Sequence, residues 1–161
     1  MDASINDIIL KMEQLLYEKK DALTSIYNLT VKQKEDIEIN AGENLEGFID
    51  GKQEQIDKIE SIDNLFNNVF QILKKELKVD TLDAIDWKLY PKIKVIKNQV
   101  SDIVELTKKT MDLEEENKGN INKIISEVKN DLKRANLGQK SISAYDKPNI
   151  NIDGVYIDKK K

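Results

Sequence analysis

Apolar residues recur at steps of three and four along three long stretches of the chain, residues 5–29, 37–77 and 93–135. That spacing puts the apolar side chains of each stretch on one face of an α-helix. The composition agrees, because 35% of the residues are charged, only 6% are aromatic, and the 161 residues include two prolines and six glycines, as is typical of long packed helices. The sequence therefore predicts an all-α fold, an elongated antiparallel three-helix bundle or helical hairpin with coiled-coil-like packing.

Capping signals and breakers give the helix boundaries. A first helix is predicted over about residues 4–29, because residues 30–33 (Thr-Val-Lys-Gln) have a capping-box pattern that favours a chain reversal near Leu29. A second helix is predicted over about residues 31–78. Its three glycines disfavour a helix interior and predict either a bend or a close helix contact: Gly42, Gly47 and Gly51.

A third helix is predicted over about residues 91–137, with Pro91 at its first position and Gly138 at its C-terminal cap. Its apolar stripe weakens between residues 107 and 119. Residues 139–161 are predicted to form a flexible or extended tail, because Pro148 and Gly154 disfavour a long helix there. All three helices belong to one predicted bundle, residues 1–138.

An aromatic cluster is predicted at one end of this bundle. The first predicted helix covers only about half of the other two, and the end that it leaves thinly covered carries Phe66, Phe70, Trp87 and Tyr90. Two interpretations remain open. The aromatic residues either form a small satellite core, closed by residues 79–90, or they provide a surface for a homodimer or another partner.

Lys52 interrupts the apolar face of the second helix between Phe48 and Ile56. A lysine at such a position packs its methylene groups and extends its amine to water or to an acid, here Glu13 or Glu18 of the first helix. The alternative is a charge that fixes the helix register or contacts a partner.

Catalytic chemistry is not expected. The chain has no histidine and no cysteine, which excludes Ser-His-Asp and Cys-His catalysis and the usual zinc sites. Asp57 with Glu60, or residues 114–116, are acidic groups to consider as metal ligands, but they lack the Glu-x-x-His pattern of helical di-metal bundles. We therefore expect a protein that is not an enzyme and needs no cofactor.

The charge distribution and the hydropathy limit which cellular locations and which kinds of partner are expected. Charges of both signs are interleaved along the helices, with a net charge of -4, so nucleic acid is not an expected partner. The first residues include Asp2 and Asp7 and only a short apolar run, residues 8–10. We expect neither a signal peptide nor membrane insertion, and hence a cytoplasmic location.

Three parts of the chain carry a resemblance to a known family. They are the run IDGKQEQIDKIESIDNLF at residues 49–66, the Ala144-Tyr145 pair, and the closing GVYIDKK at residues 154–160. Together with the Thr-x-Lys-Gln segment at residues 30–33 and the long third helix, this pattern resembles the FlgN-type flagellar export chaperones of Gram-positive bacteria. The resemblance covers most of the chain.

The resemblance implies a cytosolic, all-helical chaperone of the flagellar type III secretion system. Such a protein binds hook-filament junction proteins, prevents their premature assembly and delivers them to the export gate. It implies client binding by the C-terminal amphipathic stripe: Ile121, Ile124, Ile125, Val128 and Leu132. It also implies docking to the export gate through a tail tyrosine, Tyr145, with Tyr156 as the alternative.

Two other functions stay open at this point. A sister chaperone, for the filament cap protein or for flagellin, would share the helical design and differ in its client. A structural coiled-coil scaffold would be an obligate dimer without an unfolded client.

Overall fold

The computed structural model of the chain describes the backbone of residues 2–138 and the side chains of residues 4–137. It contains three α-helices, α1 (Asp2–Asn40), α2 (Leu45–Leu77) and α3 (Lys92–Gly138), with a short 3-10 turn, Leu82–Ala84, between α2 and α3. No strand occurs in the described residues. The predicted all-α three-helix bundle is therefore confirmed, whereas the predicted tail lies outside the part of the chain that is described.

The predicted reversal near Leu29 is wrong, because α1 continues for eleven residues beyond it to Asn40. Thr30 does not act as a helix cap. It is fully buried in the middle of α1, and its hydroxyl donates a hydrogen bond to Glu114 Oε1 at 3.1 Å. The second helix is correspondingly shorter than predicted and begins at Leu45.

The chain reverses at residues 41–44, where Ala41 and Gly42 have φ angles of 54° and 82°. These left-handed conformations end α1 and favour glycine. A Cβ on Gly42 would lie 2.8 Å from Ile121 Cδ1, so the position also lacks space for a side chain. The Asp36 carboxylate stabilises the turn by accepting hydrogen bonds from the backbone and side-chain amides of Asn44 at 3.0 and 2.8 Å.

The other two glycines of the predicted second helix lie inside α2, which is continuous through both. A Cβ on Gly51 would lie 3.3 Å from Leu29 Cδ1, whereas a Cβ on Gly47 would have no neighbouring atom within 4 Å. The expected close helix contact is therefore found at Gly51.

Contacts along the chain define two compact units, each with a segment of all three helices. The first unit comprises Met1–Asn28 and Glu54–Thr110, and the second comprises Leu29–Gln53 and Met111–Lys161. Each has its own apolar core.

The core of the first unit is made by side chains from all three helix segments and from the corner between α2 and α3. Met12 of α1, Leu73 of α2 and Ile96 of α3 are fully buried in it, and Ile85 closes it from the corner. Lys92 and Asp102 of α3 bond Glu13 and Lys20 of α1 at 3.0 and 3.2 Å. The residue numbers increase in the same direction along both helices, from Glu13 to Lys20 in α1 and from Lys92 to Asp102 in α3. The two helices are therefore parallel in this unit.

The core of the second unit is smaller. Four buried side chains form it: Ile37, Leu45, Ile49 and Ile121. Gly42, in the turn before α2, contacts Ile121 of α3, and Lys52 of α2 contacts Glu114 of α3. The chain therefore runs in opposite directions in α2 and α3 here. With so few apolar residues, packing in this unit depends strongly on each of them.

Candidate functional site

The predicted client-binding stripe on α3 divides into two halves. Ile121 and Ile125 are buried, and Ile124 is partly buried against the core of the second unit. Val128 is 39% exposed, and Leu132 is partly exposed. The first half of the stripe therefore belongs to the core, and the second half is the candidate surface.

α3 carries this surface past the turn between α1 and α2. Ile121 packs against Gly42 of the turn, and α3 then continues to Gly138. None of the side chains at residues 126–137 is buried. Val128 and Leu132 follow Ile121 and Ile125 at steps of three and four, which keeps them on the same helix face. We call this exposed part, residues 126–137, the α3 end.

The turn beside Ile121 is acidic. Residues 35–51 contain six acidic residues and no basic residue. Asp36 is buried, and the other five are exposed: Glu35, Glu38, Glu43, Glu46 and Asp50. Because α3 leaves the core of the second unit next to this turn, the apolar face of the α3 end begins beside a negative surface. Such a surface favours a segment that carries both apolar and basic side chains.

The four aromatic residues predicted as a partner surface lie in the first unit. Phe66, Phe70 and Tyr90 are partly buried against its core, and the two phenylalanine rings lie 6.0 Å apart. The first turns of α1 pack against the same core, so this end of the first unit is covered by α1. Trp87 differs, since it is 44% exposed and its ring lies 3.6 Å from the Lys94 amine.

The two tail tyrosines, Tyr145 and Tyr156, lie outside the described residues. Their assignment to the export gate therefore stays a prediction.

Lys52 does not extend to water, nor to Glu13 or Glu18 as the sequence suggested. It is buried in the second unit, where its amine forms an ion pair with Glu114 of α3 and donates a hydrogen bond to Gln33 Oε1 of α1 at 2.7 Å. Both charged side chains are only 5% exposed. A buried charge of this kind is tolerated when it is paired and hydrogen-bonded.

Two more polar residues complete this arrangement. Thr30 donates to Glu114, and Asn117 donates to the Thr30 carbonyl oxygen at 3.0 Å. The five side chains, which we call the polar layer, come from all three helices: Thr30, Gln33, Lys52, Glu114 and Asn117. The Gln33 Nε2 and Asn117 Oδ1 atoms have no hydrogen-bond partner in the described part of the chain.

The polar layer fixes how the helices of the second unit pack. A shift of any helix along its axis would separate Lys52 from Glu114 and leave two charges in an apolar interior. This matches the alternative role for Lys52, a charge that sets the helix register. The partners of Lys52 are not evident from the sequence, because Glu114 and Asn117 lie in the gap that interrupts the apolar stripe of the third helix.

Among the described residues, no three acidic side chains are grouped closely enough to hold a metal ion. None of the described helices has an apolar stretch that would cross a bilayer.

Comparisons with known proteins give no relative: no protein-family model, no curated protein and no solved structure matches the chain.

Proposed function

We propose that the protein binds an amphipathic segment of another protein through the α3 end. The observation that supports this is the continuation of α3 for thirteen residues past Ile125, the last buried residue of the helix, with Val128 and Leu132 on the same helix face as Ile121 and Ile125 but not buried. An apolar helix face of this kind binds a second amphipathic helix through anchors at steps of three and four.

The proposed partner segment is basic as well as apolar. The acidic segment at residues 35–51, which includes the turn at residues 41–44, lies where the apolar face of the α3 end begins. Opposite charges across an interface speed association and fix orientation. Binding should therefore weaken as the salt concentration rises.

The specific form of the proposal is a cytosolic chaperone of flagellar type III secretion. The resemblance of residues 49–66 and 154–160 to FlgN-type chaperones supports it. In this form the partner is a hook-filament junction protein, whose terminal segment is disordered before assembly and folds as it binds. Turnover requires release of the client, so an intermediate affinity of about -8 to -12 kcal/mol is expected.

Size-exclusion chromatography with light scattering tests this proposal. The chain is measured alone and mixed with the hook-filament junction proteins of the same genome. We expect a discrete complex that disappears when the terminal segment of the client is deleted. Absence of a complex with these proteins, with the cap protein and with flagellin would contradict the proposal, and a stable homodimer under those conditions would favour a scaffold.

Docking to the export gate provides a separate prediction. Replacing Tyr145 with alanine should reduce secretion of the client while leaving the complex with the client intact, because a tyrosine anchor in a pocket contributes roughly 1 to 4 kcal/mol. Secretion from cells that carry Tyr145→Ala or Tyr156→Ala, with pull-down of the client, measures both effects. Normal secretion by Tyr145→Ala and Tyr145→Phe would refute the role of Tyr145.

A further inference from the structure

One stretch of α2 in the first unit, residues 64–73, is largely exposed and carries no charge. Residues 64–73 contain no charged side chain, although 35% of the chain is charged. Six of these ten residues are exposed: Asn64, Leu65, Asn67, Asn68, Gln71 and Ile72. The other uncharged run of ten, residues 22–31, has only two exposed residues, Thr24 and Asn28. Burial explains that second run, but it does not explain the first.

The outer face of this segment has a clear pattern. Leu65 and Ile72 are 50% and 52% exposed. They lie seven residues apart, which is two helical turns and about 10 Å along the same face. Asn68 lies between them. Depletion of charge around exposed aliphatic residues is typical of the centre of a protein interface.

The charges on the two sides of the segment indicate what it contacts. Residues 54–63 on its N-terminal side have four acidic residues and one basic residue, a net charge of -3. Residues 74–78 on its C-terminal side have three lysines and one glutamate, a net charge of +2. A second α2 in the antiparallel direction would place the acidic side of one copy next to the basic side of the other. A parallel arrangement would place like charges together, which is unfavourable.

We propose that this face is the interface of a homodimer in which the α2 helices of two copies pack antiparallel. The two-fold axis passes next to Asn68, so that Leu65 of each copy packs against Ile72 of the other. At this register Glu60 of one copy lies near Lys75 of its partner, whereas Asp63 faces α1 and pairs with Lys19 of its own chain. The contact is isologous and closes, as in most homodimers. It uses a different surface from the α3 end and does not rest on the proposed client.

Light scattering of the pure protein tests the dimer. The wild type should have twice the chain mass of 18.5 kDa, and Asn68→Lys should have the mass of one chain, because two lysine charges would meet at the axis. Asn68 is exposed and lysine favours helix, so the substitution should not unfold the monomer, which circular dichroism verifies. Asn98→Lys, the same change at an exposed position of α3, is the matched control and should remain a dimer.

Disulfide cross-linking tests the register, because the chain has no cysteine of its own. Asn68→Cys should form a covalent dimer under mild oxidation. Leu65→Cys and Ile72→Cys should cross-link when mixed, and much less when each is alone. A monomeric wild type, or a dimer that survives Asn68→Lys, would overturn the proposal, and efficient cross-linking of Leu65→Cys with itself would overturn the antiparallel arrangement.

Discussion

Lys52→Ala is expected to lower the free energy of unfolding by about 3 to 5 kcal/mol, because it leaves the Glu114 carboxylate buried without its cation. Glu114→Ala should have a similar cost, since it leaves the Lys52 amine buried. Both effects are a large fraction of the total stability of a small domain, about 5 to 15 kcal/mol. Urea unfolding followed by far-UV circular dichroism measures them.

The double variant Lys52→Met/Glu114→Leu separates the cost of burying an unpaired charge from the contribution of the ion pair to the free energy of unfolding. It removes both charges and retains apolar volume, so it should be more stable than either single alanine variant. Lys20→Ala is the control, because it breaks an ion pair with Asp102 whose side chains are both about half exposed; its effect should stay below about 1 kcal/mol. Equal losses for Lys52→Ala and Lys20→Ala would show that Lys52 is hydrated and not buried.

The two halves of the α3 stripe should respond differently to the same truncation. Ile121→Ala removes a buried side chain from the small core of the second unit and should cost about 2 to 5 kcal/mol of stability. Val128→Ala lies on the α3 end and should change stability by no more than about 0.5 kcal/mol. The same urea titration compares them.

Client binding should show the reverse order. Val128→Ala should weaken the complex, whereas Ile121→Ala, measured at a temperature where it is folded, should bind almost as the wild type does. If Val128→Ala proved as destabilising as Ile121→Ala, the α3 end would be part of a packed core and not an available surface.

The helices themselves could be predicted from the sequence because apolar periodicity is a local property. The boundaries of α3 were predicted to within one residue, since Pro91 and Gly138 mark both ends. The turn between α1 and α2 was misplaced. Thr30 and Gln33 interrupt an apolar stripe and match a capping box, so this segment resembles a helix end although it lies inside α1.

The polar layer explains both the misplaced turn near Leu29 and the wrong partners expected for Lys52. Thr30 and Gln33 in α1, Lys52 in α2, and Glu114 with Asn117 in α3 each looked like an isolated irregularity. Their mutual contacts depend on the relative register of three helices, which no single stretch of sequence contains. When the three helices are aligned, these polar residues of the apolar stripes fall at the same height along the bundle, and that coincidence is the signal that identifies the layer.

The candidate surface was predicted in part. Periodicity placed Val128 and Leu132 on one face with Ile121 and Ile125. It did not show where the core ends, because that depends on where α1 and α2 reverse beside α3. Moving the turn from Leu29 to residues 41–44 is what divides the stripe into a buried and an exposed half.

The most direct test of the proposed function is a calorimetric titration of the chain with a junction protein. The double variant Val128→Asp/Leu132→Asp should raise Kd by about a hundredfold or more, since each apolar anchor contributes about 1.5 to 3 kcal/mol when buried. Asn130→Asp, which adds one negative charge at an exposed position on the opposite face of α3, should leave Kd nearly unchanged. An unchanged Kd for the double variant, beside clear binding by the wild type, would show that the client binds elsewhere and would contradict the role assigned to the α3 end.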